Sequence, residues 1–256
     1  MSKLGDKKKA AKGHTVNIGD PDKKYPWAFI ATPAYDGKVE TDFAQSLAEA
    51  SFCAPLHGVK VTQCVMGNGI FIDLARNIFA RMFLDEFKDC THLFFIDADL
   101  GFPPNAFIGL MKSGLPISAG VYRRRQEPAD YPLSLSEWPE GGGLWVEDGY
   151  VMADRVPTGF LCIERSVVEE MAAEAPQLNI AGQPGPVPQL FYTKVDEENR
   201  FIGEDFNFCD DYRKKYGKPI HVWPDIDFVH GGYPGNLLEY MDNKIKELES
   251  GTSSAA

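Results

Sequence analysis

The sequence predicts an α/β fold, a Rossmann-like, doubly wound mixed sheet with helices on both faces. Three observations predict it. Short apolar runs alternate with longer amphipathic segments from residue 27 to 121, one of those segments carries apolar residues at strict helical spacing, and beyond Tyr122 the pattern breaks into turn-rich, hairpin-like segments. Strands and helices alternating at this spacing build parallel sheets covered on both faces, with ligands at the carboxyl ends of the strands.

Trp27-Ala28-Phe29-Ile30-Ala31 is the first buried strand, stopped at Thr32-Pro33. Asp42 to Phe52 is helical, and Val59 to Val65 is the second strand. Phe71, Leu74, Ala75, Ile78, Phe79, Met82 and Phe83 recur at i, i+3, i+4, i+7, i+8, i+11 and i+12, which predicts a helix with one buried stripe. His92 to Ile96 is the third strand, Pro103-Pro104 opens a helix through Met111, and Ile117 to Val121 is the fourth strand. Beyond Tyr122, hairpin strands lie around Leu144 to Met152, and Gly159 to Ile163 is apolar. Arg165 to Ala175 is a short helix, Gly182 to Pro188 a loop, Glu204 to Tyr216 a helix ended by Gly217, and His221-Val222-Trp223 the last strand.

Length and composition set the bounds. The chain has 256 residues, 44% hydrophobic and 25% charged, which fits one large α/β domain. Polar tails are expected at 1–24 and 249–256, around a single domain at 25–248. The balance of 26 Lys+Arg against 37 Asp+Glu gives −11, which excludes a surface that is basic throughout. Five widely spaced cysteines in apolar contexts read as reduced thiols. Neither a spanning segment nor a secretory leader is evident, so a cytoplasmic protein is expected, in the host cytoplasm if the source is viral.

The chemistry concentrates at Leu93 to Asp99, LFFIDAD. An apolar strand ending in Asp97-Ala98-Asp99 would place two carboxylates on the same side of an extended chain. Hard oxygen ligands of this kind suit Mn²⁺ or Mg²⁺, which completes its shell with waters and substrate phosphates. The bland alternative is a pair of strand-end aspartates capping a turn. Arg123-Arg124-Arg125 is a local positive patch suited to a diphosphate or polyanionic acceptor, or else a solvated loop. Trp138 and Trp145 either form a sugar platform or pack; His14, His57, His92 and His221 have no functional context.

F-F-I-D-A-D followed by a proline-initiated helix resembles the metal motif of GT-A glycosyltransferases. Ala31-Thr32-Pro33-Ala34-Tyr35-Asp36 resembles their nucleotide-binding first loop, and Ala75-Arg76-Asn77 resembles the A-R-N helix of family-2-like viral and bacteriophage enzymes and of Anp1-type mannosyltransferases. The likeness spans about residues 27 to 232. It implies a GT-A-type fold and a nucleotide-sugar donor, UDP- or GDP-linked, with Thr32, Pro33, Tyr35, Asp36, Arg76, Asp97 and Arg124 as donor contacts. Arg76 would reach a phosphate, or else pair with Asp73 one turn earlier. Asp97, Asp99 and the late His230 would hold the metal. Gly203-Glu204-Asp205 resembles the E-D motif of inverting members, with Asp205 as general base and Glu204 its substitute, although carboxylates at a helix start are favoured without any catalytic duty. Pro157-Thr158-Gly159-Phe160 resembles an acceptor-side loop. The acceptor hydroxyl would belong to a hydroxymethylated DNA base, a glycan or a lipid. The rival readings are a nucleotidyltransferase and a non-catalytic carbohydrate- or nucleic-acid-binding module.

Overall fold

The computed structural model describes residues 25–67 and 69–250. The tail expected at 1–24 lies outside the described residues, as does that expected from 249 apart from Glu249 and Ser250, which close the last helix.

The first half contains β1 (Trp27–Pro33), α1 (Thr41–Cys53), β2 (Lys60–Met66), α2 (Ile72–Asp85), β3 (His92–Ile96), β4 (Leu100–Gly101), α3 (Pro104–Met111) and β5 (Ile117–Ala119). A second group follows with β6 (Ser134–Leu135), β7 (Val146–Glu147), β8 (Tyr150–Arg155), β9 (Phe160–Glu164) and α4 (Arg165–Glu174). Two small hairpins, β10 (Gln177–Leu178) with β11 (Val187–Pro188) and β12 (Lys194–Val195) with β13 (Phe201–Ile202), lead to α5 (Glu204–Tyr216). The described chain closes with β14 (Ile220–Val222), β15 (Phe228–His230), β16 (Tyr233–Gly235) and α6 (Leu237–Glu249). His221-Val222 is therefore not the last strand.

Strand order in the nine-stranded sheet is β2-β1-β3-β9-β5-β14-β8-β6, with β7 on β8. β1 runs parallel to β2 and β3, and β14 parallel to β5, but β9 enters antiparallel between β3 and β5. The regular parallel succession expected across the first four strands is broken at that point. β9 is apolar on both faces, so only an interior position covers it: Leu161 and Ile163 face one core, Phe160 and Cys162 the other.

The same alternation divides β1 and β3. Phe29, Ala31, Leu93 and Phe95 pack toward α2, α4 and α5; Ala28, Ile30, Phe94 and Ile96 pack toward α1 and α3. Helices thus cover both faces. No helix among the described residues is long and apolar enough to cross a membrane, and all five cysteines are free thiols.

β1 ends at Pro33, within the expected Thr32-Pro33 stop, and its pairing with β3 ends at Ala31, so the missing proline N–H leaves that ladder intact. Two local expectations are corrected. β3 ends at Ile96, and Asp97 to Asp99 form a turn closed by the Leu100 N–H on the Asp97 carbonyl at 3.2 Å, so strand alternation does not align the two carboxylates. α2 is not buried along one stripe. Phe71 lies at its cap, exposed, while every residue from Ala75 to Arg81 is buried, because the sheet covers one side and the segment around β11 covers another.

Candidate active site

Loops leaving the carboxyl ends of the neighbouring parallel strands β1 and β3 meet at one cleft of about 640 Å³. The first supplies Pro33, Ala34, Tyr35 and Asp36, the second Asp97, Ala98 and Asp99, and Tyr122, Arg125 and His230 also line it. Tyr35 is 63% exposed, an aromatic face open to a planar partner. Asp36 Oδ1 accepts the Lys38 N–H at 3.1 Å and so braces the loop. Thr32, by contrast, is buried within β1 with no partner for its hydroxyl among the described residues, and it does not line the cleft.

The two aspartates face different partners. Asp97 Oδ2 accepts the Tyr122 hydroxyl at 2.8 Å, Oδ1 accepts Arg76 Nη2 at 3.3 Å, and the Asp97 N–H donates to the Gly159 carbonyl at 3.0 Å. A Cβ on Gly159 would overlap both the Tyr122 hydroxyl and the Asp97 carboxylate, so the Thr158-Gly159 loop approaches only because residue 159 lacks a side chain. Burial, and then the Asp97 charge, push the Tyr122 phenol well above its ordinary value, which keeps it a donor.

Asp99 pairs with Arg125 and lies 3.6 Å from His230 Nε2. Burial alone would raise the Asp99 carboxyl, but His230 and Arg125 outweigh it and hold the group below the ordinary carboxylate value. His230 Nδ1 is 2.8 Å from the Arg123 carbonyl oxygen. A carbonyl only accepts, so Nδ1 carries a proton and Nε2 is the atom turned toward Asp99. Among the described residues no group of three or more His, Cys, Asp and Glu side chains is placed to hold a metal ion; Asp99 and His230 form a pair, with Asp97 turned aside.

Arg76 does not pair with Asp73, whose carboxylate accepts the Leu74 N–H instead. Only 3% exposed, its side chain donates to Asp97 and to Glu204 at the start of α5, and it is absent from the cleft lining. Glu204 and Asp205 behave differently. Asp205 Oδ1 accepts the Phe206 N–H at 2.8 Å, and burial followed by the Glu204 charge raises its carboxyl above the ordinary value, with Arg76 partly offsetting both. Arg124 turns to Asp130 at 2.9 Å, and Arg125 is the member of the arginine triplet that lines the cleft. Trp138 and Trp145 stack on each other at 5.5 Å.

Sequence reasoning missed Tyr122, and within the patch Arg123-Arg124-Arg125 it singled out Arg124 where Arg125 lines the cleft. A larger cavity, about 800 Å³, lies between α4 and α5 and includes Glu174, Tyr192, Asp211 and Lys215. There Lys215 pairs with Glu174, and Tyr192 donates to Asp211 at 3.0 Å. The converging unlike groups lie in the smaller cleft.

No protein-family model matches the chain, and no curated protein matches it significantly. Among solved structures, A197 from STIV is 19% identical, with 80% of this chain and 85% of that chain covered and a TM-score of 0.49. GalNAc-T7 with UDP, GalNAc and Mn²⁺ is 12% identical at a TM-score of 0.43; the match covers 82% of this chain but only 44% of that one. A glycosyltransferase involved in glycosylation of the major capsid of PBCV-1 is 9% identical at a TM-score of 0.30, with 57% of this chain and 63% of that chain covered.

Proposed function

We propose that the protein transfers a sugar from a nucleotide-diphosphate sugar to an acceptor hydroxyl, on a GT-A-type frame. One convergence carries this reading: the Tyr35-Asp36 loop, the Asp97-Ala98-Asp99 turn and His230 share a cleft at the carboxyl ends of adjacent parallel strands, where doubly wound sheets bind nucleotides. The base stacks on Tyr35 beside Asp36, and the diphosphate extends toward Asp99.

The donor set fits a divalent cation such as Mn²⁺ or Mg²⁺. Asp99 offers a hard oxygen, and His230 directs Nε2 to the same point while its Nδ1 proton is committed to a backbone carbonyl, the arrangement that orients ligating imidazoles. Few protein ligands suffice when substrate phosphates complete the shell. When bound, the cation supplies charge neutralisation for the departing diphosphate. Asp97 stands beside this pair as a donor-side carboxylate fixed by Tyr122 and Arg76, and Arg125 adds a positive charge to the diphosphate region.

Asp205 serves as general base in preference to Glu204. Glu204 is tied to Arg76 by an ion pair that commits Oε1 to the guanidinium. Asp205 has a raised proton affinity and, among the described residues, no ion pair of its own. It takes the acceptor proton as that oxygen bonds to the anomeric carbon and the bond to the diphosphate oxygen breaks, which inverts configuration.

Calorimetric titration of UDP and GDP, with Mn²⁺, with Mg²⁺ and with EDTA, tests the donor half. We expect affinity at least tenfold higher with metal for one nucleotide. Equal affinity with metal and with EDTA, in folded protein, would overturn the assignment of Asp99 and His230.

A further inference from the structure

We infer that Arg76 is a positioning residue that holds the start of α5, and with it the Glu204-Asp205 pair, against the Asp97 turn, and that it does not touch the donor. The inference rests on the sugar-transfer reading for its catalytic consequence, but the clamp itself is a property of the fold.

Arg76 is 3% exposed and lies outside the cleft lining. Its guanidinium forks between two carboxylates from distant parts of the chain, Asp97 Oδ1 at 3.3 Å and Glu204 Oε1. One planar cation with donors on two edges sets the angle between these partners, which an ammonium at the end of a flexible stem does not do. Without it two partly buried carboxylates would lie close together uncompensated.

The residues around Arg76 make the same connection. Asn77 donates to the Phe191 carbonyl at 2.7 Å, and its Oδ1 accepts the Leu190 and Phe191 N–H groups, each at 2.8 Å. From the other side, Asn207 of α5 donates to the Tyr192 carbonyl at 2.7 Å. Residues 190–192 are therefore pinned to α2 and to α5 by two buried amides. The Phe191 ring stacks on Phe208 at 4.7 Å, and the Arg76 guanidinium lies 6.0 Å from the Phe191 ring centroid. Ala75-Arg76-Asn77, which by its resemblance looks like a donor-binding motif, joins α2 to the base-bearing end of α5.

Arg76→Lys keeps the charge and loses the fork; Glu204→Gln keeps an accepting oxygen and loses the charge. We expect Arg76→Lys to fold and to bind UDP or GDP with Mn²⁺ within about threefold of the wild type, while kcat falls by about 10²-fold, the scale of an ångström-sized misplacement. Its effect on kcat should be non-additive with Glu204→Gln, since both act through one pair. A loss of nucleotide affinity matching the loss of turnover, or additive effects of the two substitutions, would overturn the inference. Hydrogen exchange separates this result from failure of the sugar-transfer reading. Even if no donor is turned over by wild type, Arg76→Lys should speed amide exchange at residues 190–192 and 204–208 and leave α1 and α3 unchanged. Unaltered protection at those segments would remove the clamp whatever the activity.

Discussion

Asp205 carries opposite demands on activity and on stability. Burial raises its carboxyl pKa, so the acid limb of the rate profile should lie above the ordinary aspartate value of about 3.9, activity rising as the group ionises. Asp205→Asn should lower turnover by about 10²- to 10⁴-fold with metal-dependent nucleotide binding retained. The sign for folding is the reverse. A carboxyl whose folded pKa is raised favours the native state only while protonated, and its ionised form costs stability at neutral pH. Asp205→Asn should therefore raise the melting temperature at pH 7, and the gain should vanish below the ordinary aspartate pKa. Thermal melts at pH 7 and pH 3.5 check this; a lowered melting temperature at pH 7 would favour the helix-dipole role instead. At this scale the sequence was partly legible. Asp97, Asp99, His230, Tyr35 and Asp36 all line one cleft. In the run Arg123-Arg124-Arg125, however, no periodicity says which arginine turns inward, and the single Tyr122 after a short strand has no pattern to announce that its hydroxyl binds Asp97.

α5 was legible from end to end, since Glu204-Asp205 mark its first turn and Gly217, at φ 63°, its C-terminal stop. α2 was legible as a helix but not as one buried all round from Ala75 to Arg81, because the segment that covers its second side comes from residues more than a hundred positions later. Asn77 exposes that difference. It is a polar residue in the buried middle of the helix, satisfied only by the backbone at Leu190 and Phe191. Asn77→Ala should leave the Phe191 N–H and the Phe191 carbonyl unpaired, each worth on the order of 1–3 kcal/mol, while the Leu190 N–H keeps the Pro188 carbonyl at 3.1 Å. Loss of several kcal/mol in urea unfolding is expected, with partial recovery in Asn77→Asp, whose carboxylate still accepts both N–H groups. Wild-type stability in Asn77→Ala would show that water replaces the amide.

The molecule as a whole should lose stability in acid through histidine as well as carboxylate chemistry. Burial lowers the His92 pKa from 6.5 to about 4, and burial lowers His221 also. Between those pH values the unfolded chain takes up a proton at position 92 that the native ring refuses, so stability falls as pH drops from about 6.5 and the loss levels off near 4. Urea midpoints from pH 7 to pH 4 should show the slope, and His92→Gln should flatten it. Global class and both helical layers followed from periodicity, whereas strand order did not, because β9 is just an apolar run until its neighbours are known. Its place between β3 and β5 also sets a timetable for synthesis. When a ribosome has released the chain as far as Tyr122, β3 and β5 have both been made but are not neighbours in the sheet. The Leu93-Phe94-Phe95-Ile96 edge stays open until Phe160–Glu164 emerges about 40 residues later, roughly 2–8 s at usual translation rates. For that interval the nascent chain carries an apolar, unpaired strand edge, the feature that folded proteins cover or charge, and shielding it falls to whatever meets the chain at the exit tunnel.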